Sequence, residues 1–126
     1  NVKFEGNIDM KDVQNEMSKH DVLVLPSLHD GWGAVVNEAM VQGLYVICSD
    51  KCGAMALLHH QGRGSVFKSG NSGDLSQLLT YCAKNVEEIR AGRMERKQWA
   101  IKHISGEAVA HYFVDCLTKD NVKSLF

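Results

Sequence analysis

The sequence predicts an α/β protein: a Rossmann-like parallel sheet of about four strands with flanking helices, ending in a helical C-terminal tail. Three observations carry this. The runs "DVLVLP" and "LYVICS" are short, continuous and rich in Val, Ile and Leu, as strands of a parallel sheet buried on both faces must be. The segments between such runs have the length and periodicity of crossover helices. From Val86 onward the pattern is helical throughout.

Strands are expected at residues 2–5, 21–25, 44–49 and 65–67. Asp9 or Asp12 is placed to start a first helix in which Val13 and Met17 share a face. A second helix runs over residues 34–42, with Gly43 where a C-terminal cap belongs. A short third helix covers residues 54–60. The turn "SGNSGD" carries its own capping residues, and Leu75, Leu78, Leu79 and Cys82 follow at helical spacing. Residues 88–102 are charge-rich and read as a solvated surface helix, whereas Ala108, Tyr112 and Cys116 predict a buried stripe on the last helix.

At 126 residues the chain suits one domain, residues 1–126, able to bury a core without disulfide staples. The net charge of −1 supplies no general attraction for nucleic acid or an anionic membrane. No apolar run approaches the ~20 residues of a membrane-spanning helix, and no signal peptide opens the chain. The four cysteines, Cys48, Cys52, Cys82 and Cys116, sit within apolar patterns and read as buried reduced thiols, which suggests a cytoplasmic setting. Cys48, Cys52, His59 and His60 match no common zinc spacing, so no metal is expected. The chain opens on a strand pattern without an initiating Met, the expectation for a piece of something longer.

The stretch "LPSLHDGWGAVVNEAM" carries the chemistry. In open parallel sheets ligands sit beyond the carboxyl ends of the strands, and "HDGWG" falls there. Gly31 and Gly33 let backbone approach a ligand, and the amides near Ala34, Val35 and Val36 open a helix whose positive dipole end suits phosphate. Glu38, one turn along, would repel a phosphate it faced, but could accept hydrogen bonds from a ribose diol. Asp30 could do the same for a second hydroxylated group. Spacing alone leaves the ordinary alternative open: an Asp-Gly turn followed by a solvated helix.

The ordered segments "VKFEGNID", "DVLVLPS", "DGWGAVVNEAMVQGLYVICSD" and "GRGSVFKSGNSGDL" resemble successive landmarks of the retaining GT-B glycosyltransferases of the group 1 family, over residues 2–80. The resemblance implies a C-terminal, donor-binding portion of such an enzyme, in bacterial glycan assembly. It implies a nucleotide-sugar donor, such as a UDP- or GDP-hexose, with no further cofactor. Glu38 would bind the ribose. Asp30 would contact the donor sugar, and the backbone of Gly31, Trp32, Gly33, Ala34 and Val35 would line the sugar and diphosphate. Ile8 would lie beside the nucleobase. Asp30 stands where the family usually has Glu, and Trp32 where it usually has Phe, expected to pack beneath the loop.

The family's enzymes have two Rossmann-like domains, and the resemblance covers only the second. A glycan or lipid-linked acceptor would bind through the missing N-terminal domain, which could also hold the protein at the inner face of a membrane. The isolated chain is therefore expected to be inactive. Loss of the first two strands of the usual order predicts self-association through an unpaired strand or a disturbed N-terminal segment. Two other readings are a part of a non-hydrolysing nucleotide-sugar epimerase, and a nucleotide-binding or interaction module without transferase activity.

Overall fold

The computed structural model describes residues 2–60, 62–120 and 122–124. Among these, three parallel strands form one sheet in the order β1-β2-β3: β1 (Val22–Leu25), β2 (Tyr45–Ser49) and β3 (Gly64–Phe67). The register pairs Val24 with Ile47 and Cys48 with Val66. Sequential order is what right-handed crossovers produce on one side of a doubly wound sheet. The class is as expected, with three strands rather than four.

β2 is central and every one of its residues is buried. Its alternation divides the core. Val46 and Cys48 face a layer made by α1 (Met10–Ser18), α2 (Ala34–Val41), a 3-10 helix (Gly53–Leu58) and α5 (Arg93–Ile104). Tyr45 and Ile47 face α3 (Ser72–Lys84) and α4 (Val86–Ala91), where Phe67, Cys82 and Ile89 pack. The helix starts follow local chemistry: Asp9 caps α1 through the Lys11 amide, and Asn71 caps α3 through the Asp74 amide. Gly43, just past α2, has φ of +79°.

Four expectations need correction. Residues 2–5 form no strand; they are exposed and lack a β partner. An extended segment with no strand edge beside it leaves its backbone groups to water and gains nothing from pairing. β1 is the edge of the described sheet, and its four residues are only partly buried instead of enclosed on both faces.

The charged segment at residues 88–102 is not a solvated helix. It breaks into α4 and α5, and α5 buries Arg96, Ala100 and Ile104 against α2 and the sheet layer. Arg96 is 5% exposed and donates to the carbonyls of Gly43 (3.0 Å), Gly62 (3.2 Å) and Ile89 (2.5 Å). Arg93 similarly serves Gln42, His20 and Ser18. Carbonyls in and just beyond the last turn of a helix, as at Ser18, His20, Gln42, Gly43 and Ile89, carry partial negative charge, so they accept cations that a pattern of charges assigns to solvent. Burial pulls the Arg96 pKa down from its ordinary value.

The last helix, α6 (Gly106–Thr118), is well capped by Ser105, but none of its residues is buried. Ala108 and Tyr112 are half-buried and Cys116 is exposed, so the expected stripe does not form and one of the four cysteines is not a core thiol. Periodicity shows that a helix has an apolar side; it does not supply the surface that covers it. Among the described residues, no helix is long and apolar enough to cross a membrane.

Candidate functional site

The carboxyl ends of the three strands are laced together. Ser49 Oγ donates to the Ser27 carbonyl (2.5 Å), as Ser69 Oγ does at 3.4 Å, and the Ser69 amide donates to Asp50 Oδ1 (2.8 Å). The loop from Asp30 to Gly33 rises above this row and is clasped to the turn after β2. Asp30 N–H donates to the Lys51 carbonyl (2.9 Å), and Gly53 N–H returns the bond to the Asp30 carbonyl (3.2 Å). The Trp32 carbonyl accepts from Ala54 N–H (2.7 Å) and Cys52 Sγ (3.1 Å). The strand-like pairing of Asp30 with Cys52 thus extends the sheet's parallel hydrogen bonding beyond β1 and β2.

The loop's two glycines differ. Gly33, the N-cap of α2, has φ of +86°. A Cβ there would meet Cys52 Sγ at 2.5 Å and the Leu25 side chain at 3.0 Å. Only glycine fits such a site without strain. Gly31 has nothing within 4 Å of the corresponding position, so open space lies above it.

Gly33 offers α2 no side-chain cap, and the first turn contains no acidic residue. Among the described residues, the amides of Gly31, Gly33, Ala34 and Val35 have no hydrogen-bond partner, whereas Trp32 N–H donates to Asp30 Oδ1 at 3.1 Å. Four unpaired donors at the positive end of a helix make a place for an anion with several acceptor oxygens. Glu38 stands one turn further along α2, exposed and with no side-chain partner among the described residues. Asp30 is half-buried, and one of its oxygens already serves the loop.

The structure therefore brings Asp30, Gly31, Trp32, Gly33, Ala34, Val35 and Glu38 to one strand end. It does not bring Ile8 there. Ile8 lines a separate groove of about 250 Å³ with Val13, Met17, Val22, Leu23 and Leu44, and no wall of that groove comes from residues 30–38. Trp32 does not pack beneath the loop: it is 41% exposed, and its Nε1–H donates to Asn37 Oδ1 (2.9 Å). Cys52 Sγ occupies the space under the loop instead. Cys52 and the serine row carried no signal in the sequence as parts of this site, because each acts through a segment distant along the chain; Asn37 is only five residues from Trp32, but no local pattern pairs the two side chains.

Beneath the site, burial and then neighbouring Cys52 push the Cys48 thiol up to about 12. Such a thiol is neutral and a poor nucleophile. Among the described residues, no group of three or more His, Cys, Asp or Glu is arranged to hold a metal ion.

A search of curated proteins finds no match to the chain. Among solved structures it is similar to Anabaena Alr3699/HepE, crystallised in complex with UDP, with a TM-score of 0.74 and 21% identity. The likeness covers 85% of this chain but 30% of that one, so the chain spans less than a third of the neighbour's length. It establishes a common fold with part of that protein, in agreement with the parallel sheet and flanking helices seen here. The family model for glycosyl transferases group 1 matches residues 1–98, which include the whole sheet and the Asp30–Glu38 stretch. The chain belongs to the group 1 glycosyl transferases.

Proposed function

We propose that the chain is the donor-binding part of a retaining hexosyltransferase, corresponding to part of a GT-B C-terminal domain, which holds a nucleotide-sugar while a glycan or lipid-linked acceptor is bound elsewhere in the whole protein. One observation carries this reading: amides at Gly31, Gly33, Ala34 and Val35 and, a turn along, the carboxylate of Glu38 all lack hydrogen-bond partners among the described residues. The amides would accept the diphosphate, since they supply donors and positive potential without a desolvated side-chain charge. Glu38, set back by a turn of about 6 Å, would accept from the ribose hydroxyls. Asp30 retains one carboxylate oxygen for a hydroxyl of the sugar. This arrangement would bind and orient a donor, with the acceptor and the groups that complete transfer supplied elsewhere in the whole protein. The chain by itself is accordingly expected to bind donor and transfer no sugar.

Calorimetric titration with UDP, GDP, UDP-glucose and GDP-mannose tests the reading. UDP is the first choice because the structural neighbour was crystallised with it. Saturable binding to at least one of the four, weakened at least about tenfold (1.4 kcal/mol) by Glu38→Ala, is expected. No binding to any of them, or unchanged affinity in Glu38→Ala, contradicts it.

A further inference from the structure

The Asp30–Gly33 loop is tied to the turn after β2 by backbone bonds, but those bonds hold only its far side. On the α2 side the ties are one backbone bond, Val36 N–H to the Gly33 carbonyl (2.8 Å), and one side-chain bond, Trp32 Nε1–H to Asn37 Oδ1 (2.9 Å). Trp32 is a large apolar residue left 41% exposed, so burial does not explain where its ring lies. Its amide is bound to Asp30 and its carbonyl to Ala54 and Cys52, which fixes the backbone of Trp32 itself. The unpaired amides lie on both sides of that residue, at Gly31 before it and at Gly33, Ala34 and Val35 after it. A bond from Trp32 forward to Asn37 spans this second group and joins the loop to the helix that carries Glu38.

We propose that the Trp32–Asn37 hydrogen bond is a latch that holds the Gly31–Trp32 part of the loop against α2, and so fixes the Gly31 amide relative to the helix that carries the Gly33, Ala34 and Val35 donors and Glu38. This rests on the donor-site reading above. Both residues are positioning residues: the latch acts through the Gly31 amide, and neither side chain needs to touch the ligand. An exposed neutral hydrogen bond supplies a modest effect, of about three- to tenfold in affinity when removed. Preorganisation of this kind lowers the cost of ordering the loop on binding.

The latch makes a distinction that a merely structural contact would not. Fixing the diphosphate donors matters for UDP and GDP, and much less for uridine and guanosine, which lack the diphosphate. The test is titration of the full chain, Trp32→Phe, Asn37→Leu and the double variant with these four probes, beside their thermal midpoints. Phe keeps an aromatic ring and removes only the donor; Leu removes only the acceptor. The expected result is a loss of about three- to tenfold in nucleoside diphosphate affinity in each single variant, no further loss in the double variant, and nucleoside affinity held within about twofold. Diphosphate affinity unchanged in both single variants, losses that multiply in the double variant, or equal losses for diphosphate and nucleoside would overturn the latch while leaving the donor site standing. Failure of the unsubstituted chain to bind any of the probes would remove the donor site, and the latch with it.

Discussion

The two ends of the sheet make opposite use of their polar groups. At the amino ends of β2 and β3 lies an open cleft of about 980 Å³ bounded by α3, α4 and α5. Several of its polar groups are already engaged. Tyr45 Oη and Ser65 Oγ are 2.7 Å apart, Arg96 is shared among three carbonyls, and Arg63 lies over the Trp99 ring, 3.5 Å from its centroid. At the carboxyl ends, among the described residues, the amides of Gly31, Gly33, Ala34 and Val35 stay unpaired beside a row of hydrogen bonds that joins the strand ends. What sets the carboxyl end apart is a group of backbone donors, at the positive end of α2, that the loop holds in place and leaves open to an anion.

The contrast predicts that side chains at the amino end matter for stability, and that the carboxyl end separates stability from binding. The largest effect is expected at Arg96. Arg96→Met keeps much of the apolar stem but strips three carbonyls of their donor, two of them in buried bonds. Unfolding in urea should show a loss of about 3–4 kcal/mol; a loss below about 1 kcal/mol would mean those carbonyls find water instead.

Next in size is Gly33→Ala, which combines a left-handed backbone with a clash against Cys52 Sγ. A loss of about 2–3 kcal/mol is expected. Gly31→Ala tests the other half of the contrast. Nothing surrounds that position, so stability should stay within about 0.5 kcal/mol. The added methyl group would project into the space offered to the ligand, and UDP affinity should fall about tenfold. If Gly31→Ala binds UDP as well as the parent, the open space above Gly31 is not where the ligand sits.

The smallest effect concerns the thiols. Ellman's reagent at pH 8 should modify Cys116 promptly and leave Cys48, Cys52 and Cys82 unreacted in the folded chain, since only Cys116 is exposed. The Cys48 pKa is raised in the folded state from 9.0 to about 12, so the folded chain holds a proton that the unfolded chain releases. Its contribution to stability is complete below pH 9.0 and is lost as pH rises towards about 12. Replacement by Ser or Ala, followed by urea unfolding at pH 8 and pH 10.5, should flatten that part of the decline. Fast labelling of Cys48 at pH 8 would show that the floor beneath the loop opens readily.

Local chemistry made much of this legible in advance. The five residues of β2 form a run that only a central strand can bury, and Asp9 and Asn71 announce helix starts. Gly33 before an apolar helix, with Glu38 a turn later, marked the candidate site. Two readings went astray for one reason. Arg93 and Arg96 read as solvent-facing charges, and Ala108, Tyr112 and Cys116 as a buried stripe, because a sequence pattern reports polarity and period but not which surface lies opposite.

The sequence by itself determined the class of fold, the order of strands and crossovers, and a helix beginning at a glycine-bounded loop, since these follow from backbone preference and from periodic apolar residues. Only the tertiary structure decided that residues 2–5 pair with no strand, that Arg96 is buried, and that Asp30 bonds across to Lys51 and Gly53. It also decided that Trp32 turns outward to Asn37 while Cys52 fills the floor beneath the loop. Except for the short reach from Trp32 to Asn37, these outcomes depend on whether segments far apart in the chain supply an edge, a carbonyl or a cavity to one another. No local pattern encodes that.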